Sequence, residues 1–257
     1  MTIMERKTSL WIRRFNPAEG ARARLVCFPH AGGSASFYFP LAQTMPPSVE
    51  VVAVQYPGRQ DRRHERPIDD IAELADRIAG ELAPWTDLPL ALFGHSLGAT
   101  LAFEVARRLE RSGTVPIGLF ASGRRAPSRH RDERVHQGDD RALLAQLKRL
   151  NGTDAQVFGD EEVVRMILPA LRSDYRAAET YRYRPGPRLS CPVYALTGDD
   201  DAMVTVEEAS AWGEHTSGPF ELRVYPGGHF FLTAHAASIR DLVSHHIGAH
   251  AAHAQHL

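Results

Sequence analysis

The sequence predicts an α/β fold in which helices cover both faces of a mostly parallel sheet. Short runs rich in β-branched and other apolar residues alternate with segments whose apolar residues recur at helical spacing. This alternation is typical of parallel sheets, because the chain must cross back, usually through a helix, before the next parallel strand can begin. The chain has 257 residues and is 43% hydrophobic, which is sufficient for one large domain with a buried core.

Six strands and four helices can be placed from these patterns. The predicted strands cover residues 24–28, 49–56, 88–93, 115–122, 191–198 and 220–226. The predicted helices cover about residues 69–82, 99–111, 205–212 and 230–246. Asp70 with Glu73, and Thr205 with Glu208, have the spacing of residues that cap the start of a helix.

Residues 124–187 interrupt the alternation. This segment has no evident strand, begins with a strongly charged stretch, and shows helical patterns at 140–150 and 161–175. A structureless loop of this length is uncommon in a compact domain. We therefore expect one domain over residues 1–257, with a helical insertion at about 124–187 that lies over the functional edge of the sheet. The alternative is a packed excursion without a gating role. We expect residues 248–257 to form a frayed tail.

Charge and composition exclude several classes of function. Thirty basic and thirty-one acidic residues leave a net charge of −1, which gives no chain-wide attraction to nucleic acid or to an anionic membrane. No apolar run approaches the roughly 20 residues of a membrane helix, and no signal-peptide pattern is evident. No phosphate-binding glycine motif, H-E-x-x-H or C-x-x-C pattern occurs. Cys27 and Cys191 lie in predicted strands, so we expect buried free thiols and a cytoplasmic protein.

The most informative segment is Gly94-His95-Ser96-Leu97-Gly98, which fits the pattern G-x-S-x-G. An apolar strand precedes it and a helix follows it, which is the setting of a nucleophile elbow. In such an elbow a tight turn holds the serine hydroxyl clear of the sheet, and bulky flanking residues would clash. The alternative is an ordinary glycine-rich turn between strand and helix.

A serine nucleophile needs a histidine base and an acid that orients it. Asp201 follows the strand at 191–198, and His229 follows the strand at 220–226. With Ser96, both candidates therefore lie at carboxyl ends of predicted strands, where functional groups of such sheets gather. Asp199, Asp200 and Asp201 are consecutive, so the pattern alone does not choose among them. We favour Asp201, because the loop must pass the strand before it turns toward the histidine.

The oxyanion of the reaction needs two backbone donors. The Leu97 amide, directly after the nucleophile, is one candidate. The second is expected in the loop at residues 28–34, whose glycines let the backbone turn its amides inward, and we assign it to Ala31. We expect His95, inside the elbow, to be a packing residue because it points away from the position of the base.

Five segments of the chain together resemble the stand-alone (type II) thioesterases of polyketide and nonribosomal peptide pathways, which are α/β-hydrolases. They are, in order, FPHAGGSASFYFPLA, VVAVQYPGRQDRR, LFGHSLGATLAFEVARRL, GDDDAMV and PGGHFFL. The resemblance implies Ser96 as nucleophile, His229 as base and Asp201 as orienting acid, with Ala31 and Leu97 as oxyanion donors. The family usually has a proline after the acid, whereas Ala202 stands here.

The resemblance also implies a function and a partner. It predicts hydrolysis of acyl thioesters from the phosphopantetheine arm of an acyl carrier protein, with no metal or organic cofactor, and editing of aberrant or stalled acyl groups. It further implies that residues 124–187 form a lid over an acyl chamber. We expect a monomer. The alternatives are a medium-chain fatty acyl thioesterase or a general carboxylesterase, and, in another class, a non-catalytic binding protein of the same fold.

Four arginines after the strand at 115–122 suggest one further hypothesis. Arg124, Arg125, Arg129 and Arg131 could form a basic surface that meets an acidic carrier protein. The alternative is a solvated charged loop.

Overall fold

A seven-stranded sheet forms the centre of the computed structural model, which describes residues 9–150 and 161–253. Its strands are β1 (Ile12–Arg14), β2 (Ala23–Phe28), β3 (Val49–Val54), β4 (Leu90–His95), β5 (Gly118–Ser122), β6 (Val193–Gly198) and β7 (Phe220–Tyr225). Their order across the sheet is β1-β3-β2-β4-β5-β6-β7. All neighbouring strands are parallel except β1, which pairs antiparallel with β3. The predicted α/β class and mostly parallel sheet are confirmed.

Eight α-helices connect or extend the strands within the described ranges. They are α1 (Phe39–Thr44), α2 (Ile71–Leu82), α3 (Leu97–Arg111), α4 (Asp140–Arg149), α5 (Glu161–Thr180), α6 (Val206–Ser210), α7 (Phe231–Ala234) and α8 (Ala236–His253). The sequence patterns predicted neither β1 nor α1, which are short. The final predicted helix is divided into α7 and α8.

The predicted helix starts are built as expected. The Asp70 side chain accepts a hydrogen bond from the Glu73 amide at 2.8 Å. Thr205 and Glu208 form a reciprocal capping box at the start of α6. Such caps satisfy amides that lack a partner within the helix, and each contributes about 1 kcal/mol.

The central strands are buried because helices cover both faces of the sheet. Successive residues of β2 face opposite sides, and Val26 packs in a core with α2 and α3. Leu25 packs in a second core with α1 and α8. This two-sided burial explains why β2 to β5 are mostly apolar without the alternation of a half-exposed strand, and the charged residues Arg24 and Glu50 inside them bind each other. Both cysteines are free and buried, as predicted.

The helical segment 124–187 contributes α4 and α5, and no strand occurs in the parts of it that the structure describes. These helices form a small apolar cluster of their own, which includes Leu143, Leu147 and Leu171. Ala31, from the loop after β2, packs against this cluster. The segment therefore lies beside the loop that was predicted to supply an oxyanion donor.

The chain end differs from the sequence prediction. Residues 248–253 were expected to belong to a frayed tail, yet α8 continues through them to His253. Ile247 packs in the core, which anchors the helix immediately before this part. The rest of the predicted tail, 254–257, lies outside the described residues. None of the helices described has the length and apolar character needed to cross a bilayer.

Candidate active site

Ser96 occupies a strained turn between β4 and α3. Its backbone has φ 55° and ψ −119°, a conformation that L-residues rarely adopt. The turn is closely packed: a Cβ atom on Gly94 would lie 2.1 Å from the Gly98 carbonyl oxygen, and one on Gly98 would lie 2.0 Å from the Phe28 carbonyl oxygen. The Ser96 amide donates to the Ser122 carbonyl of β5 at 2.8 Å. These contacts explain why glycine occupies both flanking positions.

Three side chains predicted from distant parts of the sequence meet at this turn. The Ser96 hydroxyl oxygen lies 3.0 Å from Nε2 of His229. The other ring nitrogen of His229, Nδ1, lies 2.9 Å from Oδ2 and 3.1 Å from Oδ1 of Asp201. The Asp201 carboxylate accepts a hydrogen bond from Nδ1–H, which leaves Nε2 to accept a hydrogen bond from the serine hydroxyl. His229 and Asp201 are both buried, which strengthens these contacts.

Among the three consecutive aspartates, only Asp201 contacts the histidine. Asp199 accepts from the Gly227 amide at 2.8 Å and so closes the loop that carries His229. Asp200 is exposed. Asp201 also accepts from the Met203 amide at 2.8 Å, which fixes the orientation of the carboxylate. The geometry therefore supports Asp201 as the acid, in agreement with the residue favoured from the sequence.

Two backbone amides beside Ser96 have no acceptor among the residues that the structure describes. Ala31 and Leu97 line the same pocket as Ser96. Neither amide makes a hydrogen bond to another part of the described chain. Unpartnered buried amides are uncommon in folded proteins, and an anionic oxygen in this pocket would satisfy them.

A buried ion pair that the sequence analysis missed holds the loop of Ala31. Asp174 of α5 accepts from the Gly32 amide at 2.8 Å. The same carboxylate binds the Arg59 guanidinium through two contacts of 2.8 Å, and Arg59 donates to the Gly33 carbonyl at 3.0 Å. The helical segment is thereby linked to the loop directly next to Ala31. No local pattern marks Asp174, because its partners lie 115 and 142 positions away in sequence.

Two further histidines pack around His229. Burial lowers the pKa of His30 to about 3, and the nearby His229 and Arg59 charges add to this effect. Burial also lowers the pKa of His95 well below its ordinary value. The His95 ring lies 5.0 Å from the His229 ring, and its Nδ1 contacts the Ser122 hydroxyl at 3.0 Å. His95 is thus an enclosed neutral ring, consistent with the packing role expected for it.

The pocket around Ser96 has two walls. The strand wall comes from loops at the strand ends and comprises His30, Ala31, Ser96, His229 and Phe230. The helical wall comes from α4 and α5 and comprises Leu147, Leu150, Tyr175, Ala178 and Glu179. Arg124, Glu133 and Met203 also line the pocket. The pocket therefore combines apolar side chains with three charged groups close to the serine.

The hypothesis of an open basic surface is wrong for three of its four arginines. Carboxylates of this chain neutralise them through ion pairs: Arg125 with Glu133, Arg129 with Glu214, and Arg131 with Glu208. The fourth, Arg124, lines the pocket instead. The pairs of Arg129 and Arg131 join the start of the helical segment to residues 208–214, whereas the Arg125–Glu133 pair lies within the segment.

Comparison with known families matches residues 23–248 to the thioesterase domain. The chain belongs to the thioesterase family. A probable cadicidin biosynthesis thioesterase of Streptomyces griseus is 56% identical over 244 residues, which cover 95% of this chain and 68% of that protein. Thioesterase PikA5 of Streptomyces venezuelae is 54% identical over 242 residues, which cover 93% of this chain and 86% of that protein.

Solved thioesterase structures share the fold. The type II thioesterase BorB from the borrelidin biosynthetic cluster superposes with a TM-score of 0.88 at 56% identity, covering 93% of this chain and 98% of that one. The RedJ thioesterase from the prodiginine pathway of Streptomyces coelicolor superposes with a TM-score of 0.84 at 38% identity, covering 90% of this chain and 95% of that one. The predicted family and fold are confirmed, and the chain is a hydrolase that acts on thioesters.

Proposed function

We propose that this thioesterase removes aberrant or stalled acyl groups from the phosphopantetheine arm of acyl carrier proteins or carrier domains in a polyketide or nonribosomal peptide pathway. The hydrogen-bonded chain from Ser96 through His229 to Asp201 is the observation that carries the proposal. Relatives named for the borrelidin, prodiginine and yersiniabactin pathways support the assignment to such a pathway. The intact chain of three side chains argues against a non-catalytic binding protein.

In the first half of the reaction, Ser96 takes the acyl group. His229 Nε2 accepts the hydroxyl proton while the serine oxygen attacks the thioester carbonyl, and Asp201 stabilises the resulting imidazolium. The tetrahedral intermediate then expels the carrier thiolate, which takes the proton from His229. A thiol with a pKa near 8.5 is a good leaving group and needs less help from the acid than an amine would.

In the second half, water releases the acyl group. His229 accepts a proton from the water as the water attacks the Ser96 ester, and then returns that proton to the serine oxygen. The free acid leaves and the serine hydroxyl is restored. In both halves, the amides of Ala31 and Leu97 donate to the developing oxyanion. A single donor of this kind contributes about 2.7–4 kcal/mol to stabilisation of the transition state.

We propose that the helical segment 124–187 acts as a lid over the acyl chamber. Support comes from the helical wall, because α4 and α5 place apolar side chains opposite Ser96. The lid shields the acyl chain from bulk solvent and sets the width of the chamber. An acyl chain lying between the two walls directs its thioester toward Ser96.

The experiment that tests this function compares two substrates with the same acyl chain. One is a butanoyl group on the phosphopantetheine arm of a holo carrier domain, and the other is a simple oxygen ester of butanoate. The expected kcat/KM is at least about tenfold higher for the carrier-bound thioester. A reversed preference would contradict the proposal and favour a general carboxylesterase. In a further series of carrier-bound thioesters with longer acyl chains, a kcat/KM that rises steadily into the medium-chain range would favour the fatty acyl thioesterase instead.

A further inference from the structure

One arginine side chain, that of Arg124, lines the pocket around Ser96. Arg124 follows β5, is only partly exposed, and lines the pocket together with Ser96 and Leu97. Its Nε donates to the Thr100 hydroxyl of α3 at 3.1 Å, and its Nη2 donates to the Ala178 carbonyl of α5 at 3.3 Å. Arg124 therefore joins the helix behind the nucleophile to the helical wall.

Arg124 differs from the neighbouring arginines in having no carboxylate partner within the described ranges. Each of the other four arginines between residues 125 and 134 is ion-paired: Arg125 with Glu133, Arg129 with Glu214, Arg131 with Glu208 and Arg134 with Asp132. Burial lowers the pKa of Arg124 to about 10, and the Arg125 charge adds to this effect. No acceptor in the described part of the chain is assigned to its Nη1. Nη1 therefore keeps a donor position that an oxygen acceptor supplied by a ligand can occupy.

The position of Arg124 sets which part of an acyl chain it can reach. Thr100, its partner on α3, lies four residues beyond Ser96, which is about 6 Å along the helix. Arg124 and Ser96 line the same pocket, so an acyl group on Ser96 occupies the space that the guanidinium borders. A substituent near the thioester end of the acyl chain is therefore the part that the guanidinium can meet.

Other groups lining the pocket favour a neutral oxygen over a carboxylate. Glu133 and Glu179 line the same pocket. Glu133 is paired with Arg125, whereas Glu179 has no arginine partner within the described ranges and accepts from the backbone amide of His136 at 3.0 Å, so Glu179 disfavours an anionic acyl group. Tyr175 also lines the pocket, and burial raises the pKa of its hydroxyl, which keeps it a neutral donor.

We propose that Arg124 is a specificity-determining residue that binds the hydroxyl or keto oxygen of a partly processed acyl chain. The enzyme then prefers a 3-hydroxyacyl or 3-oxoacyl group to a saturated chain of equal length, and disfavours a carboxyacyl group. This inference rests on the proposed function, since it requires the acyl group to occupy the pocket beside Ser96. It would direct editing toward intermediates whose β-carbon processing has stalled.

Three pantetheine thioesters with four-carbon acyl groups test the proposal: 3-hydroxybutanoyl, butanoyl and succinyl. Release of free thiol gives kcat/KM for each. A hydrogen bond to a charged group predicts a preference of about tenfold or more for 3-hydroxybutanoyl over butanoyl, with succinyl hydrolysed most slowly. In Arg124→Met the ratio of 3-hydroxybutanoyl to butanoyl falls close to one. Arg124→Lys keeps part of the preference because it keeps the charge.

Arg129→Met is the matched control, because Arg129 belongs to the same stretch but is exposed and lies outside the pocket lining. Its substrate ratio should equal that of the wild type. If Arg124→Met fails to fold, Arg124→Gln replaces it, and its ratio should fall between those of wild type and one. The proposal is overturned if the wild-type ratio of kcat/KM for 3-hydroxybutanoyl to butanoyl is near one. It is also overturned if Arg124→Met lowers kcat/KM equally for these two substrates. Absence of hydrolysis of all three acyl groups by the wild type, both as pantetheine thioesters and on a holo carrier domain, would instead overturn the proposed function.

Discussion

The two walls of the pocket are held in different ways. In the strand wall, backbone geometry fixes Ser96, through the 2.8 Å bond from its amide to β5 and the close approach of Gly98 to β2. In the helical wall, side-chain contacts fix the helices: Asp174 binds Arg59 of the loop after β3, and Glu179 binds His136 within the helical segment itself. One wall is part of the central sheet, whereas the other is attached to it by buried charges.

This difference separates chemistry from recognition. The strand wall carries the groups that move protons, and these groups lie directly after the carboxyl ends of strands of the sheet. The helical wall carries apolar and charged groups that would contact the acyl chain. Substitutions in the strand wall should therefore act mainly on kcat for all substrates, whereas substitutions in the helical wall should alter which acyl groups are accepted.

The largest expected effect is that of Ser96→Ala. Removing the hydroxyl should lower kcat by at least about a thousandfold, because the acyl-enzyme can no longer form. Alanine is no larger than serine, so the thermal midpoint should change little. Thiol release from butanoyl-pantetheine measures kcat, and a melting curve measures the thermal midpoint. Unchanged hydrolysis by the variant would remove Ser96 as the nucleophile.

The second effect compares two adjacent aspartates. Asp201→Asn should lower kcat by about a hundredfold or more, because the amide favours the wrong histidine tautomer and stabilises the imidazolium poorly. Asp200→Asn is the matched control, since Asp200 is exposed, and its kcat should stay close to that of the wild type. Equal losses in the two variants, or a larger loss in Asp200→Asn, would show that the acid is misassigned.

The third effect tests whether the helical wall positions the oxyanion loop. In Asp174→Asn the weakened contacts to the Gly32 amide and to Arg59 should lower kcat by about tenfold with a smaller change in KM. A buried unpaired Arg59 should also lower stability, by up to about 3–5 kcal/mol.

Asp69→Asn serves as the control for Asp174→Asn, because Asp69 pairs with Arg176 of the same helix at an exposed position. Its kcat and thermal midpoint should match the wild type. If the two variants have the same kcat below their melting temperatures, the link between α5 and the oxyanion loop has no role in catalysis.

The smallest effect is a dependence of stability on pH. His30 and His95 of the active-site region, and His215 beneath α3, all have lowered pKa values caused chiefly by burial, with His30 at about 3 and His215 at about 4. These histidines are neutral in the folded state and titrate near pH 6.5 when unfolded, so the unfolded state binds more protons below that pH. The thermal midpoint should fall as the pH is lowered from 6.5 toward 4. A midpoint that stays constant over this range would contradict the burial of these rings as neutral groups.

The sequence could predict the strand wall because its signals are local. The G-x-S-x-G turn, the aspartate after β6 and the histidine after β7 each follow an apolar strand, and parallel strands bring their carboxyl ends together. Asp201 was favoured over its neighbours by loop length, but only contacts to His229 and Met203 distinguish it.

For the helical wall, the sequence could predict the position of the helical segment but not the contacts that attach it to the sheet. Helical patterns located α4 and α5, but the contacts that attach them join residues far apart in sequence, such as Asp174 with Arg59. The charged stretch suggested an open basic surface, although most of its arginines bind carboxylates within the chain. The short β1 was missed because three residues carry too little pattern, and its place depends on pairing with β3.

The most direct test of the central claim is covalent labelling with a serine-directed fluorophosphonate, followed by intact-mass and peptide mass analysis. The account predicts one added phosphonyl group, located on the peptide that contains Ser96, and no label on Ser96→Ala. Asp201→Asn should react more slowly than the wild type. Stoichiometric labelling of Ser96→Ala, or a wild-type protein that stays unlabelled while a control hydrolase reacts, would contradict it.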